Sequence, residues 1–203
     1  MPETSTKSIP ARRNRQYERR LGSILKAAAE IIANDGFEGA SVRKVAARAG
    51  IGLSGIYYYF KSKDEMLFAM QENTFSMLVN SLERKLKIAH CAPDRLKAVI
   101  DNHLQFFSQQ MNDLKVCSHE IESLSGAYYD EILKIRREYY KLVRDVINEN
   151  IPGSGCIDAN LAALFLFGSL NWMYMWYDRQ RNPDLEGLSN QLLKIFLEGI
   201  KAT

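Results

Sequence analysis

Apolar residues recur three and four positions apart along most of this chain, and no segment alternates apolar with polar as a half-buried strand would. A helix with one apolar stripe must be covered by other helices, so this pattern restricts the chain to an all-α packing. Leu21, Ile24, Leu25, Ala28, Ile31 and Ile32 predict a first helix, with Gly36 as its stop. Ser41 is placed to cap a second, whose stripe is Val42, Val45, Ala46 and Ala49 and which Gly50 ends. After Ile51 and Gly52, a third runs from about Leu53 to Tyr59, with Ile56 and Phe60 facing the core. Ser62 and Glu65 form a capping box that opens a long fourth helix.

The rest is also helical. Leu96, Val99, Ile100, His103, Leu104, Phe107 and Met111 form one stripe, and a short helix is expected near Val116 to Leu124. Ile132, Ile135, Tyr139, Leu142, Val143 and Val146 form the next, ended by Pro152-Gly153-Ser154-Gly155. An apolar helix then spans about Asp158 to Arg179, Pro183 breaks it, and Leu185 to Ile200 make the last. At 203 residues the chain can form one large domain or two small ones sharing a core. The run from Leu161 to Tyr177 is short for a membrane span and is interrupted by Gly168, Ser169 and Asn171, so it reads as a buried helix. The first thirty residues lack the apolar core of a secretory signal, and the expected location is the cytoplasm. Cys91, Cys117 and Cys156 have neither disulfide nor metal-ligand spacing and read as buried thiols.

Charge divides the chain. Residues 1–63 carry twelve Lys/Arg against five Asp/Glu, a net of +7, whereas the remainder is at −4. A basic head on a mildly acidic body points to a polyanion partner for the head alone. Arg12, Arg13, Arg15, Arg19 and Arg20 crowd into nine positions, and residues 1–17 are expected to be a flexible basic arm whose arginines 12, 13 and 15 enter a DNA minor groove. Two short helices about a tight glycine turn, residues 41–60, have the form of a DNA-reading helix-turn-helix. A generic helical hairpin shows much of the same spacing, so both readings stay open on the pattern alone.

The segment from Ser41 through Gly50, Gly52, Ile56-Tyr57-Tyr58-Tyr59-Phe60-Lys61-Ser62-Lys63 to Leu67 resembles the DNA-binding region of the TetR family. That resemblance implies a helix-turn-helix domain over residues 18–78, a helical ligand-binding and dimerisation domain over 79–203, and a homodimer reading an inverted repeat in double-stranded DNA. It places Ser41, Arg43, Lys44, Leu53, Ser54, Gly55, Tyr57, Tyr59 and Lys63 at the DNA. Ser41 would present the amides of its helix to a phosphate. Arg43 and Lys44 would neutralise phosphates, and Leu53, Ser54 and Gly55 would enter the major groove. Tyr57 and Tyr59 cannot both be core, because Ile56 and Phe60 define that face; Tyr58 is expected against the first helix. Lys63 stands on a helix N-terminus, where a cation is disfavoured unless a phosphate shares the site. Family members often carry a hydroxyl residue where this chain has Gly52 and a glycine where it has Ser54, which alters the contacts at the start of the reading helix.

The stretches Gly168-Ser169-Leu170-Asn171-Trp172-Met173-Tyr174-Met175-Trp176-Tyr177 and Arg136-Arg137-Glu138-Tyr139-Tyr140 are similar to the branch of the family that senses acyl-CoA thioesters. This implies an apolar tunnel with His103, Phe107, Met111, Phe165, Asn171, Trp172 and Met175 as ligand residues and Arg136, Arg137 and Lys141 as cations at its mouth. From the residues alone, His103 reads either as a satisfied core histidine or as a pocket residue, and Trp172 either as packing or as ligand contact. Asn171 needs hydrogen-bond partners that a ligand or a dimer helix could equally supply. The last two long helices carry more apolar surface than a monomer covers, so Leu161, Phe165, Leu185, Leu188, Leu192, Ile195 and Phe196 are expected at a dimer interface.

The expected function is a transcriptional repressor released by a small-molecule effector, or alternatively a DNA-binding protein controlled by a protein partner through a filled body. No phosphate-binding glycine loop, HExxH or CxxC pattern is present, and no enzyme activity, cofactor or metal is expected. His119, Glu120 and Glu122 imitate metal ligands but read as a solvated helix end.

Overall fold

The computed structural model describes residues 11–151, 157–181 and 184–201, and among these it is wholly helical. The helices are α1 (Ala11–Gly39), α2 (Val42–Ala49), α3 (Leu53–Tyr59), α4 (Lys63–Leu86), α5 (Ala92–Gln109), α6 (Met111–His119), α7 (Gly126–Asn148), α8 (Ala159–Asn171), the single turn α9 (Met173–Trp176) and α10 (Leu185–Lys201). Residues 1–10, the Pro152-Gly153-Ser154-Gly155 break, Cys156 and Pro183 lie outside the described residues.

Local chemistry sets the ends. Ser41 Oγ accepts the Lys44 amide at 3.2 Å, and Gly50 closes α2 in the left-handed region at φ 65°. Gly36 has φ 72°, so α1 is kinked there rather than cleanly stopped. Ser62 Oγ accepts the Glu65 amide at 3.0 Å, while Glu65 reaches back to the amide of Lys61 at 2.6 Å, one residue before the cap. Gly52 begins α3 without any side-chain cap.

Four boundaries depart from expectation. Residues 11–17 belong to α1, because Ala, Arg and Gln are good helix formers and carry the helix past its buried stripe. The described part of the expected arm, including Arg12, Arg13 and Arg15, is therefore helical. The backbone turns out of the helical region at Gln110, which moves Met111 from the end of the preceding stripe to the start of α6. That helix ends at His119, five residues short of Leu124, where Glu120 turns to hold other groups. The apolar helix breaks at Trp172, where bonding shortens so that Met175 N donates to Trp172 O and Met173 and Tyr177 turn inward.

The packing is continuous. α1 packs on α2, α4 and α6; α4 runs on between α5 and α7; α8 lies on α7 and α10 on α5. Ile24, Ile32, Val45, Ile56 and Met66 are buried at the N-terminal end, and Leu78, Leu96, Ile100, Ile132 and Val143 within the body. Contrary to the expectation of a buried apolar helix, α8 is buried on one face only. Ala162, Ala163, Leu166 and Leu170 face inward, while Leu161, Phe165 and Trp172 are 57%, 75% and 55% exposed. Cys91 is exposed and Cys117 buried, so only the latter matches the buried thiol expected.

Candidate nucleic-acid interface and buried cavity

Ile56 and Phe60 are buried and anchor α3 to the core, which turns its opposite face outward. Leu53, Ser54, Tyr57 and Tyr58 are exposed on that face, and Gly55 is half-exposed between them. Arg43 and Lys44 are exposed on the first turn of α2. Of the expected contact residues, Arg43, Lys44, Leu53, Ser54 and Tyr57 are thus exposed, while Ser41, Gly55, Tyr59 and Lys63 are half-buried. Lys44 is already engaged, pairing with Asp35 at 2.5 Å and donating to Gly39 O at 3.0 Å. The Arg43 guanidinium has no ion pair or hydrogen bond among the described residues, which leaves it available to a phosphate.

The tyrosines divide differently from expectation. Tyr59 is half-buried and lies on Tyr17 of α1, with ring centroids 5.0 Å apart. Tyr58 is 74% exposed and meets Tyr17 only edge-on at 6.3 Å. Tyr59 therefore makes the main contact with α1 expected of Tyr58. These rings, with Arg19 and Arg20, line an open groove beside the helix-turn-helix. Tyr17 went unnoticed in the sequence because it lies outside any motif, on a segment read as an arm. Lys63 donates to Phe37 O at 2.9 Å and stands 4.1 Å above the Phe37 ring. The unfavourable helix end is thus offset within the protein by an α1 carbonyl and a ring face.

A cavity of about 360 Å³ opens between α4, α5, α6, α7 and α8. Of the expected ligand residues it gathers His103, Phe107, Arg136, Arg137 and Asn171. Met111, Lys141, Phe165, Trp172 and Met175 are not on its wall. The α5–α6 turn removes Met111, and α8–α9 directs Phe165, Trp172 and Met175 outward. The wall also includes Phe75, Leu78, Tyr139, Tyr140 and Phe167. Tyr139 and Tyr140 stood in the quoted motif, but Phe75 and Phe167 could be found only from helix packing.

The lining is graded. Leu78, His103, Phe107 and Tyr139 are almost wholly buried and form the floor. Arg137 is exposed and Leu164 is 57% exposed, which marks the mouth. Burial holds the His103 ring neutral, with its pKa lowered to about 3, and pushes the Cys117 thiol up to about 12. Burial lowers the pKa of Arg136; its guanidinium donates to Cys117 O at 2.6 Å and lies 5.4 Å from the Phe75 ring centroid. It therefore joins the cavity wall to the last turn of α6.

From the other side, α6 grips α1, on which α2 of the helix-turn-helix packs. Lys115 donates to Ala33 O at 2.5 Å, and Glu120 accepts the Phe37 amide at 3.1 Å. His119 bonds to the Tyr174 hydroxyl at 2.7 Å. His119 and Glu122 are exposed, as a solvated helix end requires, while the half-buried Glu120 acts as a clasp; no group of three metal-binding side chains occurs among the described residues. No described helix is long and apolar enough to cross a membrane.

Comparison with known proteins gives the family. Residues 24–70 match the family model described as bacterial regulatory proteins, tetR family, and residues 91–200 match the tetracyclin repressor-like C-terminal domain. The fatty acid metabolism regulator protein of Bacillus subtilis is 26% identical over 181 residues, covering 87% of this chain and 93% of that protein. The crystal structure of the transcriptional regulator FadR from Bacillus subtilis with stearoyl-CoA superposes with a TM-score of 0.72 at 26% identity, covering 88% of this chain and 98% of that one. A TetR-family regulator from Bordetella parapertussis shares the fold, with a TM-score of 0.81 at 21% identity over 87% of this chain and 93% of its own.

Proposed function

The chain belongs to the TetR family of DNA-binding transcriptional regulators, and from that premise we propose that it is a repressor whose homodimer leaves an inverted-repeat operator when an acyl-CoA thioester fills its cavity. The observation that carries this reading is the graded cavity, with an apolar floor and with Arg136 and Arg137 among its lining. An acyl chain fits the floor, and coenzyme A phosphates fit cations at the mouth. The likeness to a regulator crystallised with stearoyl-CoA supports the same class of effector.

Release requires the effector to prefer the DNA-incompetent state. Shifting a population from 1:99 to 99:1 takes about 5.5 kcal/mol of preference. Each buried methylene contributes about 0.8 kcal/mol, so an acyl chain of modest length can supply it. α6 is the physical link, since one side lines the cavity through Leu114, Cys117 and Ser118 while Lys115 at its middle and Glu120 at its C-cap hold α1. An effector that draws Arg136 from Cys117 O loosens this link. The DNA contacts proposed are Arg43, Lys44, Leu53, Ser54, Gly55, Tyr57, Tyr59 and Lys63, joined by Arg19 and Arg20 of the groove.

The alternative of control by a protein partner through a filled body is disfavoured by the cavity itself. No catalytic role is proposed, and a DNA-bound regulator would work in the cytoplasm. The test is calorimetry and an operator gel shift with acyl-CoAs of increasing length. Binding coupled to loss of the DNA complex supports the reading; no binding at any length, or binding that leaves the complex intact, removes it.

A further inference from the structure

The cavity floor holds two polar side chains with nothing to bind. His103 is 2% exposed and neither ring nitrogen has a hydrogen-bond partner; Tyr139 is 3% exposed and its hydroxyl has none. Both line the cavity. Asn171 and Asn102 are near enough to influence them but form no hydrogen bond of normal geometry with them. Asn102 Nδ2 donates to Leu78 O at 3.0 Å, and its Oδ1 is a third buried polar atom without a partner. Aromatic rings flank both: His103 lies 4.7 Å from Phe107, and Tyr139 lies 5.7 Å from Phe167 and 6.2 Å from Phe75 between ring centroids. Unpaired buried polar atoms weaken a fold that apolar rings of the same shape would not. Two of them facing one void indicate what the void is built to receive.

The volume limits the occupant. At roughly 30 Å³ per water-sized group, 360 Å³ holds about a dozen non-hydrogen atoms. The cavity is open at the mouth, so this figure bounds the part of an acyl group that the floor and walls enclose, not the length of the whole chain.

We propose that the cavity selects an acyl group whose buried portion carries a hydroxyl or carbonyl oxygen, hydrogen-bonded by His103 and Tyr139, over a plain saturated chain of the same length. This inference rests on the thioester reading above. A carbonyl oxygen accepts from the Tyr139 hydroxyl and from the ring N–H of His103; a hydroxyl accepts from Tyr139 and donates to the other ring nitrogen. A carboxylate suits the floor poorly, because the His103 imidazole is neutral there and brings no charge to meet it. Selection follows from the same asymmetry, since a plain chain leaves both protein groups unpaired in the complex.

The experiment titrates the full chain by calorimetry with octanoyl-CoA and ω-hydroxyoctanoyl-CoA. The wild type is expected to bind the hydroxylated thioester about tenfold more tightly than the plain one. Tyr139→Phe removes only a hydroxyl and should abolish the preference, bringing the affinities for the hydroxylated and the plain thioester to within about twofold of each other. In the ligand-free state, His103→Phe and Tyr139→Phe should melt at or above the wild-type temperature. Equal binding of the plain and hydroxylated thioesters would overturn the inference and leave the thioester reading standing. So would a fall in melting temperature for both variants, because the two groups would then serve the folded core. No binding of any thioester would remove the thioester reading, and this inference with it.

Discussion

Glu120 Oε1 accepts a hydrogen bond from the Phe37 amide at 3.1 Å, closing 83 positions of sequence between the end of α6 and the kink of α1. Its other oxygen takes the Ser123 hydroxyl, and the next carbonyl in this chain of contacts, Phe37 O, holds Lys63. One carboxylate therefore ties the cavity side of the molecule to the point where the helix-turn-helix begins. Glu120→Ala should keep acyl-CoA affinity but lose much of its effect on operator binding. The loss of an amide partner should also cost about 1–3 kcal/mol of stability. A gel shift with and without effector, beside a denaturant melt, measures both. Undiminished release by the variant would place the coupling elsewhere.

Lys63 makes one hydrogen bond and one ring contact, which leaves donor capacity on its ammonium. Lys63→Ala should therefore weaken binding to all DNA sequences alike and flatten the salt dependence by about one unit. It should also lower the melting temperature through the lost contacts to Phe37. An unaltered salt slope with a lowered melting temperature would make Lys63 a brace for α1 and remove it from the DNA contacts.

His103 gives a pH signature. Its folded pKa lies near 3 and its unfolded value near 6.5, so between these pH values the unfolded chain binds the extra proton. Stability from the neutral ring is complete above the unfolded value and falls as pH drops toward 3, by up to about 1.4 kcal/mol per pH unit. Asp113 opposes this trend: burial raises its folded pKa, so its contribution is full below the ordinary carboxylate range and is lost as pH rises through the raised value. Asp113 is present in both proteins when wild type is compared with His103→Phe, so the difference isolates the histidine. Denaturant melts from pH 7 to pH 4 should show a shallower loss in the variant. Parallel curves would show that the ring is not neutral at the floor.

These outcomes follow the line between what was legible in the sequence and what was not. Ser41, Gly50 and Ser62 act through backbone groups three or four residues away, so their roles could be read from local spacing. The stripe ending in Ile56 and Phe60 fixed which face of α3 turns outward. The helix breaks at Gln110 and Trp172 had no glycine or proline to announce them, and they decide which apolar residues reach the cavity. Phe165 and Phe167 show the consequence: two positions apart on α8, one is 75% exposed and the other lines the cavity. The Glu120 and Lys115 contacts join distant segments, and no spacing rule could find them.

The exposed face of α8 supplies the last prediction. Leu161 and Phe165 lie one turn apart and are 57% and 75% exposed, and Ile195 of α10 is 67% exposed. Leu185, Leu188, Leu192 and Phe196 pack on the core within one chain and are half-buried already. Residues that cost the monomer nothing to change are thus separable from those that hold it together. A symmetric dimer in which α8 and α10 of two subunits form a four-helix bundle would cover the exposed set. Phe165→Glu and Ile195→Glu should each place an unpaired charge in that interface and weaken association by several kcal/mol. Because both positions face outward in the single chain, helix content should be retained in the resulting monomer. Leu192→Glu should weaken association and also lower helix content, since its side chain serves both packings. Sedimentation and circular dichroism separate the two effects. A wild-type monomer at micromolar concentration, or dimers unaffected by Phe165→Glu, would exclude this face as the interface. Loss of dimers should also abolish tight operator binding, because one reading helix per half-site needs two subunits held about 34 Å apart or more.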